Sequence, residues 1–341
     1  MKYTKNILIY RLGSIGDTIV SLPILNKIYN LNPDKNLIIL TNQSANSNIT
    51  SMESILGKSG IIKKFITYKS HKLSIREVFK LFHNIRKIKV EELYYMIEGR
   101  SFVQVWRDYI FFKLCGIKKI VGFPWTSEYR RPLILNDQNL ERECERLVRC
   151  FSCLGEIDLN DINNWNLHIK EEEKEKFDQI ISSFSFSEII CINMGGKLKA
   201  QDWGRKNWEN FITKLNKFLK NKGILLMIIG SSKEFERGEK VSVSWEGDVL
   251  NLCGLLNPRE SAFAISKATM FVGHDSGPIH LAESAKVPCV GIYGPLLKAK
   301  EWHPFGSIHK ILHNSNNIFD ITVDDVLKNT LKLRKEILNL K

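Results

Sequence analysis

The sequence predicts an α/β protein made of two successive parallel sheets, each wound with helices. Three observations carry that expectation. Short apolar runs alternate with helix-periodic segments along both halves of the chain, the pattern of repeated βαβ units. A glycine loop, Arg11-Leu12-Gly13-Ser14-Ile15-Gly16-Asp17, follows the first apolar run directly. Late in the chain, Gly273-His274-Asp275-Ser276-Gly277-Pro278-Ile279-His280-Leu281-Ala282 joins an apolar run to a helix-like segment. Strand, tight polar turn and helix in that order are how an open sheet builds an anion site at a strand's carboxyl end.

Residues 6–10 read as the first strand, and 18–29 as a helix with Leu22, Leu25 and Ile28 on one face. Pro33-Asp34 turns the chain into a second strand at 37–40. Strands at 64–68, 92–97 and 119–122 then alternate with helices at 74–88, 106–115 and 140–154. The polar, Asn- and Asp-rich stretch 155–169 is expected to be a linker, or in part an edge strand. The pattern restarts with a charged helix from about Lys170 and strands at 189–193, 223–229, 249–252, 270–273 and 290–293. Helices are expected at 208–220, 258–266 and 323–340. The expected division is a first domain at 1–169, a second at 170–322 and a terminal helix at 323–341 packing back on the first, with a cleft between the two domains.

Composition narrows the function classes. A chain of 341 residues, 43% apolar and 26% charged, suits two ordinary domains. No apolar run reaches the roughly 18–20 residues that span a bilayer. Met1 to Asn6 leads straight into a strand without a signal-peptide pattern, so a cytoplasmic location is expected. The seven cysteines are odd in number and scattered. Cys150-Phe151-Ser152-Cys153 is a CxxC without a second pair, so reduced thiols are expected rather than zinc or redox chemistry. The formal charge of +13 is uneven: residues 1–170 carry 26 Lys+Arg against 16 Asp+Glu, and residues 171–341 carry 24 against 21. A basic first half fits an anionic glycan, a membrane surface or nucleic acid, and a solvated lysine-rich face is the alternative. No basic-aromatic RNA motif or helix-turn-helix pattern accompanies it, and nucleic acid is not an expected partner.

The motifs are more specific. Gly273 and Gly277 let backbone approach a ligand, Pro278 suits a first helical position, and Asp275, Ser276 and His280 bring a carboxylate, a hydroxyl and an imidazole to one strand end. The bland alternative is a strand–helix turn capped by Ser276. Gly13-x-x-Gly16-Asp17 is not GxGxxG, and no acid ends the second strand near Leu40, which argues against an NAD-dependent enzyme. Asp17 is placed either to cap a helix or to act as a general base on a sugar hydroxyl. After the strand at 189–193 come Met194-Gly195-Gly196 and a basic loop through Arg205 and Lys206, a setting suited to a diphosphate. Trp203 and Trp208 are expected to pack that loop. Glu234, after Gly230 at the next strand end, would accept from ribose hydroxyls or simply begin a helix.

Together these pieces resemble glycosyltransferase family 9, the ADP-heptose:lipopolysaccharide heptosyltransferases. The resemblance rests on residues 7–17 with Pro23, on Lys206-Asn207-Trp208, Gly230 with Glu234, and Leu252-Cys253-Gly254-Leu255. It rests most on Asp275-Ser276-Gly277-Pro278-Ile279-His280-Leu281-Ala282, followed by Pro288 and Gly294-Pro295. It implies a GT-B fold with acceptor bound by the first Rossmann-like domain and nucleotide-sugar by the second. It also implies inverting, metal-independent transfer without a cofactor, and the chain contains no Asp-x-Asp. Carried over residue by residue, Asp17 matches the catalytic base, with Gly13 and Gly16 in its loop near the acceptor. Lys206 matches the basic residue facing the donor phosphates, Glu234 the ribose-binding acid, and Asp275 the acid holding the donor sugar or phosphate region, flanked by Ser276, Gly277 and His280. The polar stretch Lys197 to Arg205 departs from the family pattern. The implied partners are a nucleotide-sugar and a glycan acceptor; the basic first half fits an anionic, membrane-embedded acceptor with weak contact at the inner face of the membrane. A silent nucleotide-sugar-binding protein and a family member with another donor are the alternatives.

Overall fold

A computed structural model describes residues 5–43, 50–69, 73–135, 139–196, 198–219, 223–295 and 300–340. The chain forms two compact units, residues 1–168 and 169–341. The first holds β1 (Asn6–Tyr10), β2 (Asn36–Asn42), β3 (Ile62–Tyr68), β4 (Val90–Tyr95) and β5 (Lys119–Val121), paired in the order β3-β2-β1-β4-β5. The second holds β6 (Glu188–Asn193), β7 (Ile224–Ile228), β8 (Val249–Asn251), β9 (Met270–His274), β10 (Cys289–Tyr293) and β11 (Lys310–His313), in the order β8-β7-β6-β9-β10-β11. Every pairing of these strands is parallel. These are two Rossmann-like sheets of the GT-B class.

Strand order reverses between β1 and β4 in the first unit and between β6 and β9 in the second. The loops leaving the paired strands diverge at such a point and leave a crevice outside the carboxyl ends, where ligands bind in this architecture. The inner strands are uninterrupted apolar runs because helices cover both faces. Ile7 to Tyr10 and Ile189 to Asn193 are wholly buried. Leu8, Tyr10, Leu93, Val105 and Phe112 anchor the core of the first unit, and Ile190, Trp203, Trp208, Phe211 and Leu226 that of the second.

The structure departs from the expected elements where tertiary contacts intervene. The helix expected at 18–29 is two helices, Ile15–Ile19 and Leu22–Leu31, with Pro23 in the first turn of the second, where its missing N–H is harmless. Helix Phe102–Leu114 starts before its expected position because Ser101 and Gln104 cap it reciprocally. β11 was not anticipated; it is a half-buried edge strand of four residues beginning with lysine. The stretch 155–169 is packed rather than a free linker, and it contains no strand. Its turn Ile162–Trp165 lies on helix Leu22–Leu31, where Asn26 Nδ2 donates to the carbonyls of Asn164 (2.9 Å) and Asn166 (3.0 Å). Buried Trp165 donates to the Leu159 carbonyl at 2.8 Å.

The terminal helix Val323–Asn339 is built into the second unit. Val326, Leu327, Leu333 and Ile337 enter that unit's core, and Arg334 forks onto Glu188 at the start of β6 at 2.9 and 2.7 Å. Among the described residues no helix is long and apolar enough to cross a membrane.

Candidate functional site

The first candidate site sits at the reversal between β1 and β4. A cavity of about 330 Å³ is lined by Arg11, Leu12, Gly13 and Asp17 from the loop after β1 and by Ile97, Glu98, Gly99, Arg100 and Gln104 from the segment after β4. Gly13 has φ +127°, a conformation that favours glycine, and a Cβ there would collide with the Asp17 carboxylate. Gly13 N donates to Asn42 Oδ1 at 2.8 Å, and Ser14 N donates to Asp17 Oδ2 at 2.8 Å. Asp17 therefore does cap its helix. Its other oxygen lies 4.0 Å from Arg11 Nη2, and the side chain is partly exposed into the cavity. Gly16 lies in the first turn of the same helix.

Behind Asp17 lies a charge cluster that sequence reasoning missed. Arg11 is buried; its Nη1 donates to the Met96 carbonyl (2.7 Å) and to Glu143 Oε1 (2.8 Å). Glu143 also receives Arg146 Nε (2.5 Å) and Nη2 (2.9 Å). Burial opposes the ionised form of Glu143, but Arg146 and Arg11 together hold its carboxyl down to about 2. Burial and then the Glu143 charge push the Glu98 carboxyl well above its usual range, which favours a proton on Glu98. The cavity thus holds two carboxyl groups, Asp17 and Glu98, the second of them favoured in its neutral form. Arg100 donates from Nη2 to Tyr10 Oη at 3.3 Å and lies 3.8 Å from Asp108, which also accepts from Tyr95 Oη at 2.8 Å. No local motif announces Glu98 or Arg100; their signal is position, immediately after the strand at the sheet's reversal.

The second candidate site is at the reversal between β6 and β9. Asp275, Ser276 and Gly277 leave β9 together, and Gly277 opens helix Gly277–Ser284. Ser276 Oγ donates to Asn193 Oδ1 at 2.8 Å, across to the end of β6. Gln201 Nε2 donates to Asp275 Oδ2 at 2.7 Å, tying the polar loop to the strand end. Asp202 in the same loop takes a fork from Arg237 at 2.9 and 2.8 Å. Lys197, at the start of that loop, lies outside the described residues. Glu234 is half-buried at the end of β7; its Oε2 accepts from Ser231 N at 2.6 Å, and a Cβ on Gly195 would overlap its carboxylate. Gly195 is thus the reason that Glu234 can lie against the loop after β6. Lys206 is exposed in the first turn of helix Arg205–Leu219, and no ion-pair partner for it is found among the described residues. His280 is placed differently: its ring is buried, with Nδ1 2.9 Å from Glu283 Oε2 and the ring nearly perpendicular to that of Trp302, 6.1 Å away.

The loop from Gln201 to Trp208 is pinned by His274, whose role the motif alone did not disclose. His274 Nε2 accepts from Trp203 N (3.1 Å) and from Trp208 Nε1 (3.3 Å), so the ring is neutral with its proton on Nδ1. Trp203 and Trp208 are fully buried and meet edge to face at 5.4 Å, as expected of packing residues. Burial pushes His274 from its ordinary 6.5 down to about 4. Between those values the unfolded chain binds the proton and the native one does not, so stability falls as pH drops through that window. The expected slope is up to about 1.4 kcal/mol per pH unit. Urea titrations between pH 6.5 and 4 should give a flatter profile for His274→Gln; parallel profiles would refute the assignment.

Among the described residues no group of three or more His, Cys, Asp or Glu side chains is placed to hold a metal ion.

Comparison with known proteins bears on the family and the fold. Residues 106–324 match the family described as glycosyltransferase family 9 (heptosyltransferase); Asp17 and Glu98 lie before the matched stretch. Lipopolysaccharide heptosyltransferase 2 of Escherichia coli K12 is 24% identical over 242 residues, covering 65% of this chain and 65% of that protein. The curated heptosyltransferases matched here are covered over 28 to 65% of their own length. Among solved structures, a family 9 glycosyltransferase from Veillonella parvula superposes with a TM-score of 0.71 at 16% identity, covering 98% of each chain. The E. coli ADP-heptose lipopolysaccharide heptosyltransferase II superposes with a TM-score of 0.65 at 17% identity, covering 97% of this chain and 99% of that one. With more than half of its residues matched to the family, this chain belongs to glycosyltransferase family 9.

Proposed function

We propose that the protein is an inverting glycosyltransferase that moves a sugar, heptose from ADP-heptose, to a hydroxyl of a lipopolysaccharide core or related surface glycan. The observation that carries this reading is Asp17: a carboxylate at the carboxyl end of β1, facing a cavity with Arg100 and a carboxyl favoured in its neutral form, Glu98. Asp17 removes the proton of the acceptor hydroxyl as that oxygen bonds to the anomeric carbon. The bond from that carbon to the diphosphate oxygen breaks on the opposite face, and the electron pair leaves with the nucleoside diphosphate. Lys206 and the N–H groups opening helices Arg205–Leu219 and Gly277–Ser284 meet the leaving charge, without a metal. Glu234 accepts from the ribose hydroxyls, and Asp275, held by Gln201, orients the donor. The relatives named for lipopolysaccharide heptosyl transfer support the donor and the acceptor class. The excess of basic residues in the first half supports an anionic, lipid-borne acceptor and a place at the cytoplasmic face of the membrane.

The second reading is a nucleotide-sugar-binding protein without turnover, favoured by the start of the family match beyond Asp17. Melting of the protein in EDTA with ADP, UDP, GDP, dTDP or NAD tests the donor, since a ligand at 100 times its Kd adds about 2.7 kcal/mol of stability. ADP should raise the melting temperature most. A shift from another diphosphate replaces the donor, and a shift from NAD alone overturns the reading. Binding of ADP-heptose with no product on any heptose-bearing core acceptor would favour the second reading.

A further inference from the structure

The helix that carries the rim of the Asp17 cavity also presents an apolar face to solvent. Helix Phe102–Leu114 buries Val105, Asp108 and Phe112, yet Phe102, Trp106, Ile110 and Leu114, four residues apart, are 40 to 63% exposed on its opposite side. The spacing puts them on one stripe. Trp125, also exposed, extends the stripe: its ring lies 5.2 Å from Trp106 and 4.9 Å from Tyr109, and Phe102 lies 6.1 Å from Trp106. Helix Ile75–Lys87 covers the same face of the sheet, because Leu81 and Ile85 enter the same core cluster as Val105 and Phe112. It leaves Ile75 and Phe79 exposed, at 77 and 60%. Both helices follow parallel strands, so both begin at the carboxyl edge of the sheet, the edge that holds the cavity. Exposed apolar side chains gathered in this way, with Phe102, Trp106 and Trp125 in ring contact, mark an interaction site.

The charges around the patch indicate its partner. Arg130 lies over the Phe102 ring at 5.6 Å and Lys113 over the Tyr109 ring at 5.5 Å. Arg76, Lys80, Arg86, Arg107 and Arg131 are exposed or half-exposed on or beside the two helices. The acids nearby are largely committed: Asp108 to Arg107 and Tyr95, and Glu77 to the Ser74 cap. Trp and Tyr at the level of headgroups, aliphatic side chains just beneath, and Arg and Lys reaching to phosphates are the composition of a surface that rests on an anionic bilayer.

We propose that the exposed face of helix Phe102–Leu114, with Trp125 and the start of helix Ile75–Lys87, docks on the anionic leaflet that carries the acceptor. This rests on the proposed function for the acceptor's identity, but not for the docking itself. Arg100 and Gln104, at the start of the docked helix, line the Asp17 cavity, so docking would bring the leaflet surface to the cavity mouth. A lipid-anchored sugar would then enter without leaving its bilayer.

Flotation of the full chain with phosphatidylglycerol-rich vesicles, with and without substrates, tests the docking. Binding to these vesicles should exceed binding to phosphatidylcholine vesicles, and Phe102→Ser with Ile110→Ser, or Trp106→Ser alone, should weaken it by at least about tenfold. Val243→Ser, at an 84% exposed apolar position in the second unit, should leave it unchanged. The same patch variants should retain turnover on a delipidated, soluble core acceptor and lose it on one embedded in vesicles. Equal binding by wild type and patch variants, or absence of wild-type binding, overturns the proposal. So does a patch-dependent dimer in sedimentation that forms in place of vesicle binding. If vesicle binding depends on the patch but no acceptor is turned over, the docking stands and the transferase reading falls.

Discussion

Replacing Asp17 by asparagine is expected to slow sugar transfer at least about 100-fold, the scale of a lost general base, while leaving ADP binding and the melting temperature near those of the wild type. The geometry makes this a clean test. Asp17 has two duties: Oδ2 caps the helix by accepting from Ser14 N at 2.8 Å, and the carboxylate faces the cavity. An asparagine Oδ1 can still accept from Ser14 N, so the cap survives and the proton acceptor is lost. Asp17→Ala removes both and should cost about 1 kcal/mol of stability in addition. Urea titration and initial rates on the two variants separate the duties. Near-normal turnover by Asp17→Asn would end its assignment as base and leave it a capping residue.

The largest loss of stability is expected at Glu143. Its carboxylate is fully buried between Arg11 and Arg146, and Glu143→Leu would leave two guanidinium groups without their shared partner. Breaking a buried pair from one side costs about 3–5 kcal/mol. The pH dependence has a definite sign. Arg146 and Arg11 hold the folded carboxyl near 2 against an ordinary 4.5, so its stabilisation is complete above 4.5 and is lost as pH falls from 4.5 toward 2. Wild type should lose stability over that window more steeply than Glu143→Leu. The variant should also let Glu98 ionise more readily, since the Glu143 charge is one cause of its raised carboxyl. Denaturation within about 1 kcal/mol of wild type at pH 7 would show that the cluster matters less than its burial implies.

Much of the molecule can be read from local pattern. Ile7-Leu8-Ile9-Tyr10 followed by glycines, and Phe271-Val272-Gly273 followed by a polar turn and Pro278, have periods and punctuation that hold in any context. They located the strand ends that carry Asp17 and Asp275, and the second-half strands with them. Errors fell where the local signal is shared by two outcomes. Residues 155–169 are polar enough for a linker, yet Asn26 satisfies the backbone of their turn and Trp165 fills a core site. β11 is four residues long, begins with Lys310 and is not fully buried, so neither length nor alternation distinguishes it from a loop.

The sequence by itself determined two parallel α/β units, the strand-end glycine loops and the candidate acid in the first of them. These depend on side-chain period and on backbone freedom within a few residues. Only the tertiary structure decided what surrounds Asp17 and what holds the donor loop. Arg11 meets Glu143 across 132 positions, and Trp208 meets His274 across 66. Burial of each charge or ring, which sets Glu98 toward its protonated form and His274 toward neutrality, belongs to the packed unit rather than to any segment of it.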